Sequence, residues 1–188
     1  RMTVARRPIE PTGLPLVDGL PALERPTIEN YCLASAECIR EATALGPKKA
    51  KAAQIRLSNA LGAVTLADLR AQGITLPEAF AGEREVGGGL RSVRADVSEM
   101  TTRDGLTLAI EIKPVHLAVG RAIWNRFGDV RTFAVNLHLK FPFAVVGGIL
   151  TLPTTERIKS GNDDDWKSTT HLVTRAIGRF MRAGGRAT

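Results

Sequence analysis

The segment LTLAIEIKP, residues 106–114, constrains this chain more than any other. Leu106, Leu108, Ile110 and Ile112 alternate with Thr107, Ala109, Glu111 and Lys113, the period of a strand that buries one face. Pro114 closes the run, because proline lacks the N–H that a ladder needs. A carboxylate and an ammonium group therefore stand side by side at the end of an apolar strand, on the face opposite its leucines.

Just upstream, SVRADVSEMTTRDGLT holds a second alternating run and the pair Asp104-Gly105, a strong signal for a two-residue hairpin turn. A turn there sets Arg103 across from Leu106, Asp96 across from Lys113 and Ser98 across from Glu111. Directly opposed residues share a face. The pairing predicts Asp96, Ser98, Glu111 and Lys113 on one face, with Val93, Ala95 and Val97 on the other. A slip of one residue would set Val97 against Glu111 and lose that match. Two carboxylates on such a diagonal are separated by roughly 5–8 Å at Cβ. Both then reach one hard cation, and oxygen ligands suit Mg²⁺. With a lysine to orient water or face a phosphate, these are the parts that phosphodiester hydrolysis requires.

The rest of the chain predicts helices around a central mixed sheet, an α/β arrangement. Residues 1–26 are proline-rich and read as an extended arm, and 27–188 as one domain. Within it, 27–80 is helical, 84–152 holds the core and 153–188 a loop and helix. A helix over 27–47 stops at Gly46-Pro47; a second, KKAKAAQIRLSNALG, ends at Gly62; TLADLRAQG starts a third at Thr65. The glycines at 87–89 permit a tight bend. HLAVGRAIWNRFG is helical with Gly128 as its stop, and TFAVNLHLKF (132–141) alternates like a strand, with Asn136, His138 and Lys140 on its polar face. FPFAVVGGILTLP (141–153) reads as a buried strand or strand pair, KSGNDDDWKS (159–168) as a polar loop, and the residues from Trp166 onward as a last helix.

Composition narrows the function. The 188 residues, 44% apolar and 24% charged, suit a soluble domain with a real core. No apolar run has the length of a membrane span and no signal peptide is visible, so the expected place is the cytoplasm. Cys32 and Cys38 match no metal spacing and read as free thiols. His116, His138 and His171 are scattered, which argues against zinc. The net charge of +7 permits a polyanionic partner. Arg91 and Arg94, just before Asp96, are the nearest phosphate contacts, joined by Arg121 and Asn125 one helical turn apart. Arg175, Arg179 and Arg182 form a stripe on the last helix that serves as a phosphate track or simply faces water.

Asp96 followed by Glu111-Ile112-Lys113 on an apolar strand resembles the PD-(D/E)xK nuclease superfamily, over about residues 84–152. The stretch IEIKPVHLAVGRAIWNRFGD is most similar to a type II restriction endonuclease. The resemblance implies a restriction-endonuclease-like core. It implies Mg²⁺ held by Asp96, Glu111 and the carbonyl of Ile112, with Lys113 positioning or activating water. It also implies double-stranded DNA as substrate and a homodimer, since cutting both strands takes two sites. Many members add an acid from an earlier helix; Glu37 and Glu41 are the candidates, with Glu29, Glu83 and Glu85 as rivals. The family's proline before the first acid is Ala95 here. A second acid-x-lysine triplet, Asp165-Trp166-Lys167, is set aside because it reads as loop. The alternatives are a repair or recombination nuclease on the same core, or a DNA-binding domain without catalysis. In the plainest reading of the motif, Asp96 and Lys113 form only an exposed cross-strand salt bridge.

Overall fold

Helix α1 (Pro47–Ala71) opens with proline in its first turn, where the missing N–H costs nothing. It buries Leu57, Leu61 and Val64, one stripe of a 3.6-residue period. The computed structural model describes residues 16–17, 20–21, 31, 35, 44–115, 118–160 and 163–183. In the arm, Leu16–Val17 (β1) and Leu20–Pro21 (β2) pair antiparallel. Helix α1 runs unbroken where the sequence suggested two helices meeting near Gly62. Thr65 is no cap: its hydroxyl donates to the Leu61 carbonyl one turn back at 2.7 Å. Gly62 is the point of closest approach, since a Cβ there would lie 3.4 Å from the Asp96 carbonyl oxygen and 3.6 Å from Val97.

The sheet beneath α1 consists of β3 (Phe80–Gly87), β4 (Ser92–Thr101), β5 (Gly105–Pro114) and β6 (Val145–Thr151), in that order. The first three pair antiparallel, while β5 and β6 run parallel from Leu108↔Val145 to Pro114↔Thr151. The fold is thus α/β with a mixed sheet, as the sequence predicted. Val97, Leu108, Ile110 and Ile112 pack against the α1 stripe. The other face is covered by α2 (Val119–His138), which lies in the β5–β6 connection.

Helix α2 overturns two expectations. It passes through Gly128 and continues through the segment that alternates like a strand. Its buried residues Ile123, Phe127, Val130, Phe133 and Leu137 recur every three or four positions, whereas Val135 and Leu139 of the period-2 pattern are exposed. A glycine inside a helix costs about 1 kcal/mol, which burial of the flanking Phe127 and Val130 offsets. Asn136, assigned to a polar face, is 1% exposed.

The β4–β5 turn also differs. Thr101 pairs with Gly105, so the loop is Thr102-Arg103-Asp104, with Gly105 in the left-handed region at φ 70° and the Asp104 N–H donating to Thr101 Oγ1 at 2.9 Å. A bulge between Glu99 and Met100 follows, after which Glu99↔Leu108, Ser98↔Ala109 and Val97↔Ile110 are partners. The residues assigned to a polar loop form a hairpin, β7 (Thr155–Ser160) with β8 (Asp163–Ser168), which places Trp166 on a strand. Asp165-Trp166-Lys167 is therefore strand rather than loop, and its register sets Glu156 across from Lys167. It stays apart from the four-stranded sheet. Helix α3 (Thr170–Ala183) is the last described element, packing Leu172 and Ala176 on Val119 and Ile123 of α2.

Candidate active site

The bulge in the hairpin decides where the acids meet. At the turn, partner numbers sum to 206; past the bulge they sum to 207. Without it, Asp96 would align with Ile110 and its side chain would leave the face that holds Glu111. With it, Val97 pairs with Ile110 rather than with Ile112. The sequence register was off by two, and a slip of two leaves each side chain on its own face.

A second irregularity sits on the other side of Asp96. Ala81 pairs with Val97 and Arg84 with Ala95, so Gly82 and Glu83 bulge opposite Asp96. Gly82 takes φ 143° there. The bend splits an apolar row that the sequence placed on one face: Val97 joins the cluster under α1, while Val93 and Ala95 join the one under α2. Asp96 fills the gap in the ladder, its Oδ2 accepting the Ile112 N–H at 2.6 Å.

Lys113 turns to its own strand. Its Nζ lies 2.6 Å from Glu111 Oε1, with the two side chains 27% and 11% exposed; no exposed Asp96–Lys113 bridge forms. The other Glu111 oxygen, Oε2, is buried without a hydrogen-bond partner. The Ile112 carbonyl accepts from Ser58 Oγ of α1 at 3.3 Å. Ser98, expected in the cluster, is fully buried with its hydroxyl unpartnered and does not line the cleft.

That cleft, of about 500 Å³, is lined by Glu83, Glu85, Asp96, Glu111 and Asp129 together with Arg91, Arg94 and Lys113. Arg94 is bound to Glu83 at 3.0 Å. Asn136 fixes the approach to Arg91: its Oδ1 accepts from Leu90 N at 2.7 Å and Arg91 N at 3.2 Å, and its Nδ2 donates to the Arg91 carbonyl at 2.8 Å. The glycine run serves this clamp, since a Cβ at Gly88 would collide with the Asn136 side chain. Arg121 and Asn125 are exposed on α2 and outside the cleft lining. Glu29, Glu37, Glu41, Cys32, Cys38 and His116 lie outside the described residues.

Burial lifts both acids above their ordinary pKa values. Burial raises the pKa of Asp96; the Ile112 N–H and Lys113 oppose the shift, and Glu83 adds to it. Burial also raises Glu111, again opposed by Lys113, with Asp129 and Asp96 adding. The folded protein holds these protons more tightly than an unfolded chain, so ionising them costs stability. The cost is absent below the ordinary carboxylate range, grows as pH rises through it, and is complete above the raised values. Asp96→Asn keeps an oxygen for Ile112 N–H and removes the charge. It should melt at a higher temperature than the wild type at pH 7, with the gap closing as pH falls below the carboxylate range. An unchanged gap in thermal scans across pH would refute this.

A divalent cation fits this donor set. It would relieve the repulsion between Asp96 and Glu111 and give the orphaned Oε2 a partner. Among the described residues no group of three or more His, Cys, Asp or Glu side chains is placed to hold a metal. The oxygen donors on hand for a cation would be Asp96, Glu111, the Ile112 carbonyl and water, the ligand types that suit Mg²⁺. Compared with family models, curated proteins and solved structures, the chain matches none.

Proposed function

We propose that this protein is a Mg²⁺-dependent endonuclease of the restriction type that hydrolyses phosphodiester bonds of double-stranded DNA, acting as a homodimer in the cytoplasm. One observation carries the reading: Asp96 and Glu111 converge from adjacent antiparallel strands on one cleft, with Lys113 2.6 Å from Glu111 and the second Glu111 oxygen unpartnered. After the motif the chain runs through α2 into β6, which pairs parallel with β5.

Asp96 and Glu111 supply the negative charge that holds the cation, and the Ile112 carbonyl supplies a neutral donor. The Ile112 N–H fixes the Asp96 carboxylate and Ser58 fixes the carbonyl, so neither needs to reorganise when charge develops. Bound there, Mg²⁺ would supply Lewis-acid polarisation of the phosphate and a more acidic water. Lys113, anchored by Glu111, presents its ammonium group to a water or to the phosphate. Incubation with unmethylated phage DNA and Mg²⁺ tests the reading. Discrete fragments that chelation abolishes are expected; a smear would point to a repair or recombination nuclease, and intact DNA would reject the activity.

A further inference from the structure

The cleft carries more acid than base. Five carboxylates line it against three cations; Glu83, Glu111 and Asp129 are paired with Arg94, Lys113 and Arg126, which leaves Glu85 and Asp96 against Arg91. The chain's net charge of +7 must therefore lie elsewhere. Helix α3, THLVTRAIGRFMRA, carries three arginines and no acid. Arg175 and Arg179, exposed and one turn apart, both stack on Trp124 of α2: Arg179 Cζ is 3.8 Å and Arg175 Cζ 5.3 Å from the ring centroid. Among the described residues neither has a carboxylate at ion-pair distance. Stacking holds the guanidinium groups in place without neutralising them.

The stack is joined to the cleft. At about 100° per residue round α2, Asp129, Asn125, Arg121 and Trp124 follow one another over about 140°. The surface between the acidic cleft and the stacked arginines thus carries Arg121 and Asn125, and no acid of α2 interrupts it. We propose that Arg175 and Arg179, preorganised on Trp124, bind the phosphate backbone of the duplex whose scissile bond enters the cleft. The proposal rests on the nuclease reading for the identity of that partner.

Neutralising Z phosphates gives a log K against log[salt] slope of about −0.9Z. Binding of a mixed-sequence duplex oligonucleotide to the full chain, with chelator present to prevent cleavage, should lose about 1.8 from that slope in Arg175→Gln/Arg179→Gln. The Arg175→Lys/Arg179→Lys variant keeps the charge and should keep the slope, which separates phosphate contact from a folding defect. A slope unchanged in the glutamine variant, or lost equally in the lysine variant, would overturn the proposal. So would glutamine-sensitive binding to phosphatidylserine vesicles with an unchanged DNA slope, which would give the face to a membrane surface. Loss of slope in a protein that never cuts DNA would refute the nuclease reading and leave this face standing; cleavage with an unchanged slope would do the reverse.

Discussion

Replacing Lys113 by arginine should lower DNA cleavage by about 10²–10³-fold while leaving the melting temperature near that of the wild type. Arginine keeps the positive charge beside Glu111 but moves the donors into a planar fork. A salt bridge would survive that change; a group that must face one water or one phosphate oxygen would not. Lys113→Met should lose cleavage to the same extent at a further cost in stability. The bridge is not of the exposed kind worth about 0–1 kcal/mol, because its acid is 8% exposed. Taking away the ammonium leaves a buried carboxylate without the partner it has here, at a cost of about 1–3 kcal/mol. Cleavage rates at saturating DNA, read beside thermal melts, separate the two effects. Normal cleavage by the arginine variant would show that charge alone suffices, and normal cleavage by the methionine variant would remove Lys113 from the mechanism.

Asp96→Asn should abolish Mg²⁺-dependent cleavage and leave DNA binding intact or tighter. The amide oxygen can still accept the Ile112 N–H, which in the wild type is 2.6 Å from the carboxylate, so the strand ends stay in place. What is lost is the second anionic ligand, without which Glu111 alone must hold the cation. Binding gains because a carboxylate in the cleft repels the phosphate when no metal is present. Electrophoretic mobility shifts in chelator and cleavage in Mg²⁺ should therefore move in opposite directions. Parallel loss of both, in a protein that melts cooperatively, would mean that Asp96 holds the DNA surface together rather than the metal.

The shared face of Asp96, Glu111 and Lys113 was legible in the sequence because alternation survives a register error of two residues. Asp104-Gly105 suggests a two-residue loop where the chain forms a three-residue one, yet the bulge at Glu99/Met100 restores the parity that places the two acids together. No sequence signal announces such a bulge. The second half of α2 is masked in the sequence because Phe133, Val135, Leu137 and Leu139 alternate by chance. The longer pattern from Ile123 to Leu137, with Gly128 read as an interior residue, would have revealed it. A helix stop at Gly128 also conceals Asp129, which lies just beyond it and lines the cleft. Ser58 and the Asn136 clamp depend on contacts between residues 54 and about 45 positions apart, which local periodicity cannot report. Cation–π stacking of Arg175 and Arg179 on Trp124 likewise turns a stripe that looked merely solvated into a fixed array.

Conversion of supercoiled plasmid to nicked and linear forms, by the wild type and by Asp96→Asn purified in parallel, puts the account to its most direct test. The wild type should cut in Mg²⁺ and stop on chelation, and the asparagine variant should leave the plasmid supercoiled throughout. Equal cutting by both proteins, or wild-type cutting that persists in chelator, would contradict a metal-dependent site built on Asp96 and Glu111.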